Sequence, residues 1–96
     1  MKIFVYETLL DNKVLSEALH GHKVSEKDAI LPGFEEVWEG DYPTLKKKFS
    51  GKVKGRTFNV YGKDIDLLDQ WESKYHRKKI FLENGDEAQV YILKSR

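Results

Sequence analysis

Apolar and polar positions alternate along the chain in blocks that name most of its elements. "KIFVY", residues 2–6, is rich in β-branched and aromatic side chains and predicts a first strand, central in its sheet. In "DNKVLSEALHG", Val14, Leu15, Ala18 and Leu19 fall at helical spacing, with Asp11 or Asn12 available as N-cap. Gly21 suits the C′ position that ends this short helix. "HKVSEKDAIL" is ambiguous, with room for a strand over Ala29–Leu31 before Pro32-Gly33 turns the chain. Phe34, Val37 and Trp38 mark a second strand-like piece that ends at "EGDYP". From Gly51, "GKVKGRTFNVYG" alternates with period two, yet neither side is cleanly apolar, so this strand is expected to be covered on both faces. Ile65, Leu68 and Trp71 in "KDIDLLDQWESK" form a helical set with Asp64 as N-cap. "HRKKIFLENGDEAQVYILK" reads as a hairpin about Asn84-Gly85. The order is β-α-β-β-β-α-β-β, with two helices and five or six strands. Strands outnumber helices and close on a hairpin, which predicts an α+β fold with a curled mixed or antiparallel sheet.

Composition narrows the class without naming a function. The 96 residues fit one domain, 1–96, and its two tryptophans, five tyrosines and five phenylalanines supply the bulky side chains that so small a core needs. With no cysteine there is neither a disulfide frame nor a thiolate metal site, which fits a cytoplasmic location. No apolar run reaches the ~20 residues of a membrane span. A net charge of +1 argues against non-specific nucleic-acid binding. No feature of the sequence sets an oligomeric state.

Few constellations carry chemistry. His20 and His22 flank Gly21 without sharing a helical face or having a third ligand nearby, so no metal site is expected. The runs Lys46–Lys48 and "KYHRKK" have an aromatic neighbour, as backbone-tracking surfaces do. Their plainer reading is a solvated strand edge whose lysines discourage pairing. No glycine-rich phosphate loop and no serine elbow occur. Asp69 and Glu72, three apart, share one side of the second helix. Glu72 sits at the helix C-terminus, the wrong end of the macrodipole for an anion, beside Trp71 and Tyr75, which can desolvate it. A carboxylate made more basic suits proton abstraction from an amine; the alternative is a solvent-facing helix-end glutamate.

Four ordered pieces resemble the γ-glutamylcyclotransferase-like superfamily, which includes γ-glutamylamine cyclotransferase. "FVYETLL" is similar to its opening strand and turn, Tyr-Gly-Ser/Thr-Leu, and "LPGFEEVWEGDYPTL" to its Gly-Phe segment and Tyr-Pro-x-Leu. "VKGRTFNV" stands where the family has Val-x-Gly-Glu-Leu-Tyr-x-Val, and "LLDQWESKYHRKKI" resembles Leu-Asp-x-x-Glu-Gly followed by Tyr-x-Arg and a strand. "AQVYIL" is similar to the closing strand. The resemblance implies a small mixed β-barrel of five to seven strands with two flanking helices. It also implies a pocket at the barrel mouth and a small-molecule substrate carrying a γ-glutamyl or related amine group. By position Glu72 matches the family's general base and later acid, while Tyr6, Glu7, Thr8 and Leu9 match the substrate turn. Tyr42 and Tyr75 are placed to wall the pocket, and Arg77 to pair with a carboxylate of the substrate or of the protein. No cofactor is implied, because attack within one molecule already has a high effective concentration.

Three positions depart from the pattern. Glu7 stands where the family has glycine, Ser73 replaces a second glycine, and Arg56 replaces a glutamate. A Glu7–Arg56 pair across the sheet would compensate two of these. Two functions follow: an enzyme releasing 5-oxoproline with Glu72 as acid/base, or a non-catalytic small-molecule binder whose turn is altered at Glu7. An RNA- or protein-binding module on the "KYHRKK" edge ranks third.

Overall fold

β1 (Lys2–Val5) opens the chain and runs up the middle of a five-stranded sheet of order β2-β3-β1-β5-β4. It is followed by a 3-10 turn (Glu7–Leu10), α1 (Asn12–Ala18), the long strands β2 (Lys27–Glu39) and β3 (Tyr42–Asn59), α2 (Lys63–Trp71), β4 (Tyr75–Phe81) and β5 (Glu87–Leu93). The structure is a computed structural model that describes residues 1–94. β1 pairs antiparallel with β3 and parallel with β5, and the outer pairs β2–β3 and β4–β5 are antiparallel.

Both faces of β1 are dry, which explains its unbroken apolar run. Ile3 and Val5 point to a core shared with Leu15, Ala18 and Leu19 near α1 and with Leu68 of α2. Phe4 and Tyr6 point to a second core with Leu31, Val53, Ile80 and Val90. All five strands contribute to this second cluster, so it fills the concave side of a curled sheet. β3 is covered likewise on both sides, since the neighbours Thr57 and Phe58 are both buried. The α+β class with two helices and a mixed sheet thus matches the expectation. The barrel does not close: β2 and β4 are not paired in the sheet, and just past β4 the Glu83 N–H donates to Ile30 C=O of β2, 2.9 Å.

Several local expectations change. Pro32-Gly33 does not turn the chain. Strand β2 continues through it, Gly33 (φ 85°) facing residues 48–51 in a bulge between the pairs Pro32–Lys52 and Phe34–Lys47. Proline is tolerated because β2 is an edge strand and Pro32 sits next to the bulge. Two short strands thereby merge into one, and five strands result. Gly21 is not the C′ residue of α1; His20 is, at φ 53°. His20 N–H donates to Glu17 C=O (3.2 Å) and Gly21 N–H to Ser16 C=O (2.8 Å), the Schellman pattern shifted by one residue. Asp11 caps the start of α1 by accepting from Lys13 N–H, 2.9 Å. Gly62 rather than Asp64 is the N-cap of α2. Asp64 lies in the first turn, where its Oδ1 is 2.7 Å from His22 Nδ1. The Asn84-Gly85 hairpin forms, with Leu82 N–H donating to Asp86 C=O (2.9 Å) and Gly85 at φ 91°.

Candidate functional site

Three elements converge at one end of the sheet. β1 delivers Tyr6 and the 3-10 turn, the C-terminus of α2 delivers Glu72, and the start of β4 delivers Tyr75. Together with Thr8, Leu9, Pro43 and Tyr91 they line a recess of about 20 Å³, room for one water-sized group. Outside it opens a bowl of about 290 Å³ that shares Thr8, Pro43, Glu72 and Tyr75 and adds Tyr42, Trp71 and Lys74.

Glu72 is the C-cap of α2, its N–H donating to Leu68 C=O (2.8 Å) and its C=O accepting from Tyr75 N–H (2.9 Å). Half-buried at the junction of recess and bowl, its carboxyl is pushed up to about 7 by burial. The carbonyl end of the helix acts in the same direction. The phenols around it are neutral donors. Tyr75 is pushed up to about 12 by burial and by the charges of Glu72 and Tyr42, and donates to Pro43 C=O, 2.7 Å. Tyr6, raised mainly by burial, donates to Tyr91 C=O, 2.7 Å. Both rings are thereby held as walls.

Asp69 shares the helix side of Glu72 but has a different role. Arg77 grips it in bidentate fashion (Nε–Oδ1 2.9 Å, Nη2–Oδ2 3.2 Å), and Tyr91 Oη donates to Oδ1, 2.7 Å. Arg77 Nη1 also donates to Gln89 Oε1, 3.1 Å. Arg77 therefore stands outside the recess and holds a carboxylate of the protein, tying α2 to β4 and β5. Asp69→Ala is expected to lower unfolding stability by about 2 kcal/mol, read from urea midpoints, because it strands a half-buried guanidinium.

Glu7 takes φ 51°, the left-handed region that glycine would fill without strain. The backbone here is one that suits glycine although the residue is glutamate. Its carboxylate does not line the recess; it turns to β2 and bonds Glu36. Glu36 is pushed up to about 7 by partial burial, then by that bond and by the charge of Glu7. The expected Glu7–Arg56 pair does not form. Arg56 Nε lies 3.4 Å from Glu26 Oε1, and Nη2 donates to Leu10 C=O. Glu7→Gly is expected to raise the melting temperature by about 5 °C through relief of strain. The gain should be larger at pH 8.5 than at pH 5.5, because above about 7 Glu36 is ionised and repels Glu7. Exposure of Glu36 screens that repulsion, so the pH difference is the smaller part. Thermal unfolding at the two pH values checks both signs.

Within the turn, the Glu7 and Thr8 amides precede the first 3-10 bond and so lack intrahelical acceptors. Thr8 borders both recess and bowl, and Leu9 is buried beneath. Tyr42 lies on the outer rim only, with Lys74 Nζ 4.5 Å from its ring centroid. Pro43 and Tyr91 were not legible as lining residues. "DYP" and "VYIL" look like ordinary strand ends, and only pairing brings them to the recess. The "KYHRKK" edge is a solvated strand with His76, Lys78 and Lys79 exposed. No cluster of three or more metal-ligating side chains occurs among the described residues, and no helix there is long and apolar enough to cross a membrane.

Comparison with known proteins agrees with this fold. A family model described as gamma-glutamyl cyclotransferase, AIG2-like, matches residues 3–96. A solution structure from Arabidopsis thaliana is 25% identical with a TM-score of 0.79, aligned over 96% of this chain and 67% of that one. An uncharacterized protein from Pyrococcus horikoshii is 22% identical (TM-score 0.76; 100% of this chain, 80% of that one). A gamma-glutamyl cyclotransferase is 17% identical (TM-score 0.74; 98% and 66%). The last two likenesses show the fold, and the chain spans about two thirds of the Arabidopsis and cyclotransferase chains. No functionally curated protein matches it significantly. With the family model covering all but the first two residues, this chain belongs to the gamma-glutamyl cyclotransferase, AIG2-like family.

Proposed function

We propose that the protein releases 5-oxoproline from a γ-glutamyl amine or γ-glutamyl-amino acid, with Glu72 as general base and then acid. The observation that carries this reading is the half-buried Glu72 carboxyl, raised to about 7, at the edge of a recess bordered by the turn. Ionised Glu72 takes a proton from the substrate's α-ammonium group. The freed amine attacks the γ-carbonyl carbon, forming the ring C–N bond while the carbonyl π electrons move onto oxygen. Turn amides without intrahelical acceptors are suited to meet that oxyanion. As the carbonyl re-forms, the original C–N bond breaks and Glu72 returns its proton to the leaving nitrogen. Ionised again, Glu72 takes the second hydrogen of the ring nitrogen and passes it to water, leaving the lactam N–H. Ring closure within one molecule supplies the effective concentration that a cofactor or second nucleophile would otherwise provide.

Incubation with a panel of γ-glutamyl amines and γ-glutamyl-amino acids should produce 5-oxoproline. Absence of product across the panel overturns the reading. A non-catalytic binder is the second reading, favoured by Glu7 in place of glycine and by a recess of only about 20 Å³. It expects compounds that raise the melting temperature without being converted.

A further inference from the structure

The bowl outside Glu72 carries side chains that the chemistry above does not use. Trp71 and Tyr42 are 46% and 38% exposed, large aromatic surfaces with no core to cover. Lys74 lies against Tyr42, its Nζ over the ring and also hydrogen-bonded to Tyr42 Oη. Among the residues lining recess and bowl, Lys74 is the one cation, and none of the described carboxylates forms an ion pair with it. Asp41, at the β2–β3 hairpin tip, and Glu72 are the carboxylates on the same bowl. The recess admits one water-sized group, so the larger parts of a substrate, the leaving group among them, lie in the bowl.

Resting on the cyclotransferase reading, we propose that this bowl is the leaving-group subsite. Lys74 makes it select γ-glutamyl-amino acids with a large apolar side chain over γ-glutamyl amines of the same shape. The leaving amino acid's α-carboxylate lies on the Lys74 ammonium, and its side chain packs on Trp71 and Tyr42. An amine lacking that carboxylate keeps the aromatic contact but leaves Lys74 without an anion. The Tyr42 ring holds the ammonium in place, which reduces the side-chain entropy lost when a carboxylate binds.

The test compares γ-glutamyl-phenylalanine with γ-glutamyl-phenethylamine, which share the scissile amide and the ring and differ by one carboxylate. Calorimetry on the E72Q protein measures binding without turnover. The phenylalanine conjugate is expected to bind about three- to tenfold tighter at low salt, with the preference shrinking as salt screens it. In E72Q/K74Q the two ligands should bind alike, in E72Q/K74R the preference should persist, and in E72Q/D41N it should grow. Equal affinities, a preference that survives K74Q, or no binding of either ligand overturns the proposal. Wild-type turnover of the same pair is read separately. An intact preference in binding with no 5-oxoproline from either conjugate overturns the cyclotransferase reading and leaves the subsite standing.

Discussion

Glu72→Gln is expected to lower kcat for 5-oxoproline release by about 10²–10⁴-fold while leaving substrate binding within a few-fold. The glutamine keeps the size and much of the hydrogen bonding of the carboxylate and loses only its proton-accepting power. Turnover unchanged in this variant would remove Glu72 from its assigned role even if the reaction itself were confirmed. In the wild type, kcat/KM should rise with pH through about 7, since the base must be ionised to act.

The same carboxyl gives a test that needs no substrate. Its folded value is raised above the ordinary 4.5 to about 7, so the folded state holds the proton more tightly than the unfolded chain. Its contribution is therefore fully present below about 4.5 and is lost as pH rises through about 7. Replacing it with neutral glutamine should relieve that loss. At pH 8.5 E72Q is expected to be more stable than wild type by on the order of 2 kcal/mol, discounted for partial exposure, with little difference at pH 4. A variant less active yet more stable at high pH is the signature of a carboxylate held for chemistry against its own solvation. Urea unfolding at the two pH values measures it.

Gly55→Ala carries the largest expected effect on stability. A Cβ at this position would lie 2.2 Å from the Val5 carbonyl oxygen and 2.7 Å from Phe4 Cζ. The first is backbone of the central strand and the second a ring with no solvent exposure, so neither yields cheaply. We expect a loss of about 3 kcal/mol and a fall in melting temperature of roughly 15 °C. Val5 leads directly into Tyr6 and the turn, so the residual folded protein should also lose activity. A loss below about 0.5 kcal/mol would show that β1 and β3 can separate there without strain.

The element types were legible where local pattern and burial coincide. β1 reads as a buried strand because both of its faces pack, and Leu68 marks the inner side of α2. Patterning failed where an edge or a cap decided the outcome. Pro32-Gly33 has turn composition, but the open edge of β2 accommodates it as a bulge. Gly21 looks like a C′ residue, but α1 ends early enough for His20 to take the left-handed position. Asp64 has N-cap chemistry, yet it is bonded to His22, far away in sequence.

By itself the sequence determined the α+β class, the family pattern and the placing of a carboxylate at the carbonyl end of α2. It also exposed the break at Glu7, since a charge at a glycine position is visible without coordinates. Only tertiary structure decided where that charge goes: the Glu7 backbone keeps the left-handed turn and its carboxylate swings to Glu36, leaving the recess clear. It likewise assigned Arg77 to Asp69 and locked Tyr6 onto the Tyr91 carbonyl. The reason is physical. Periodicity reports how each residue relates to its own strand or helix, whereas the direction of a charge and the shape of a recess depend on partners that only sheet pairing brings within hydrogen-bonding distance.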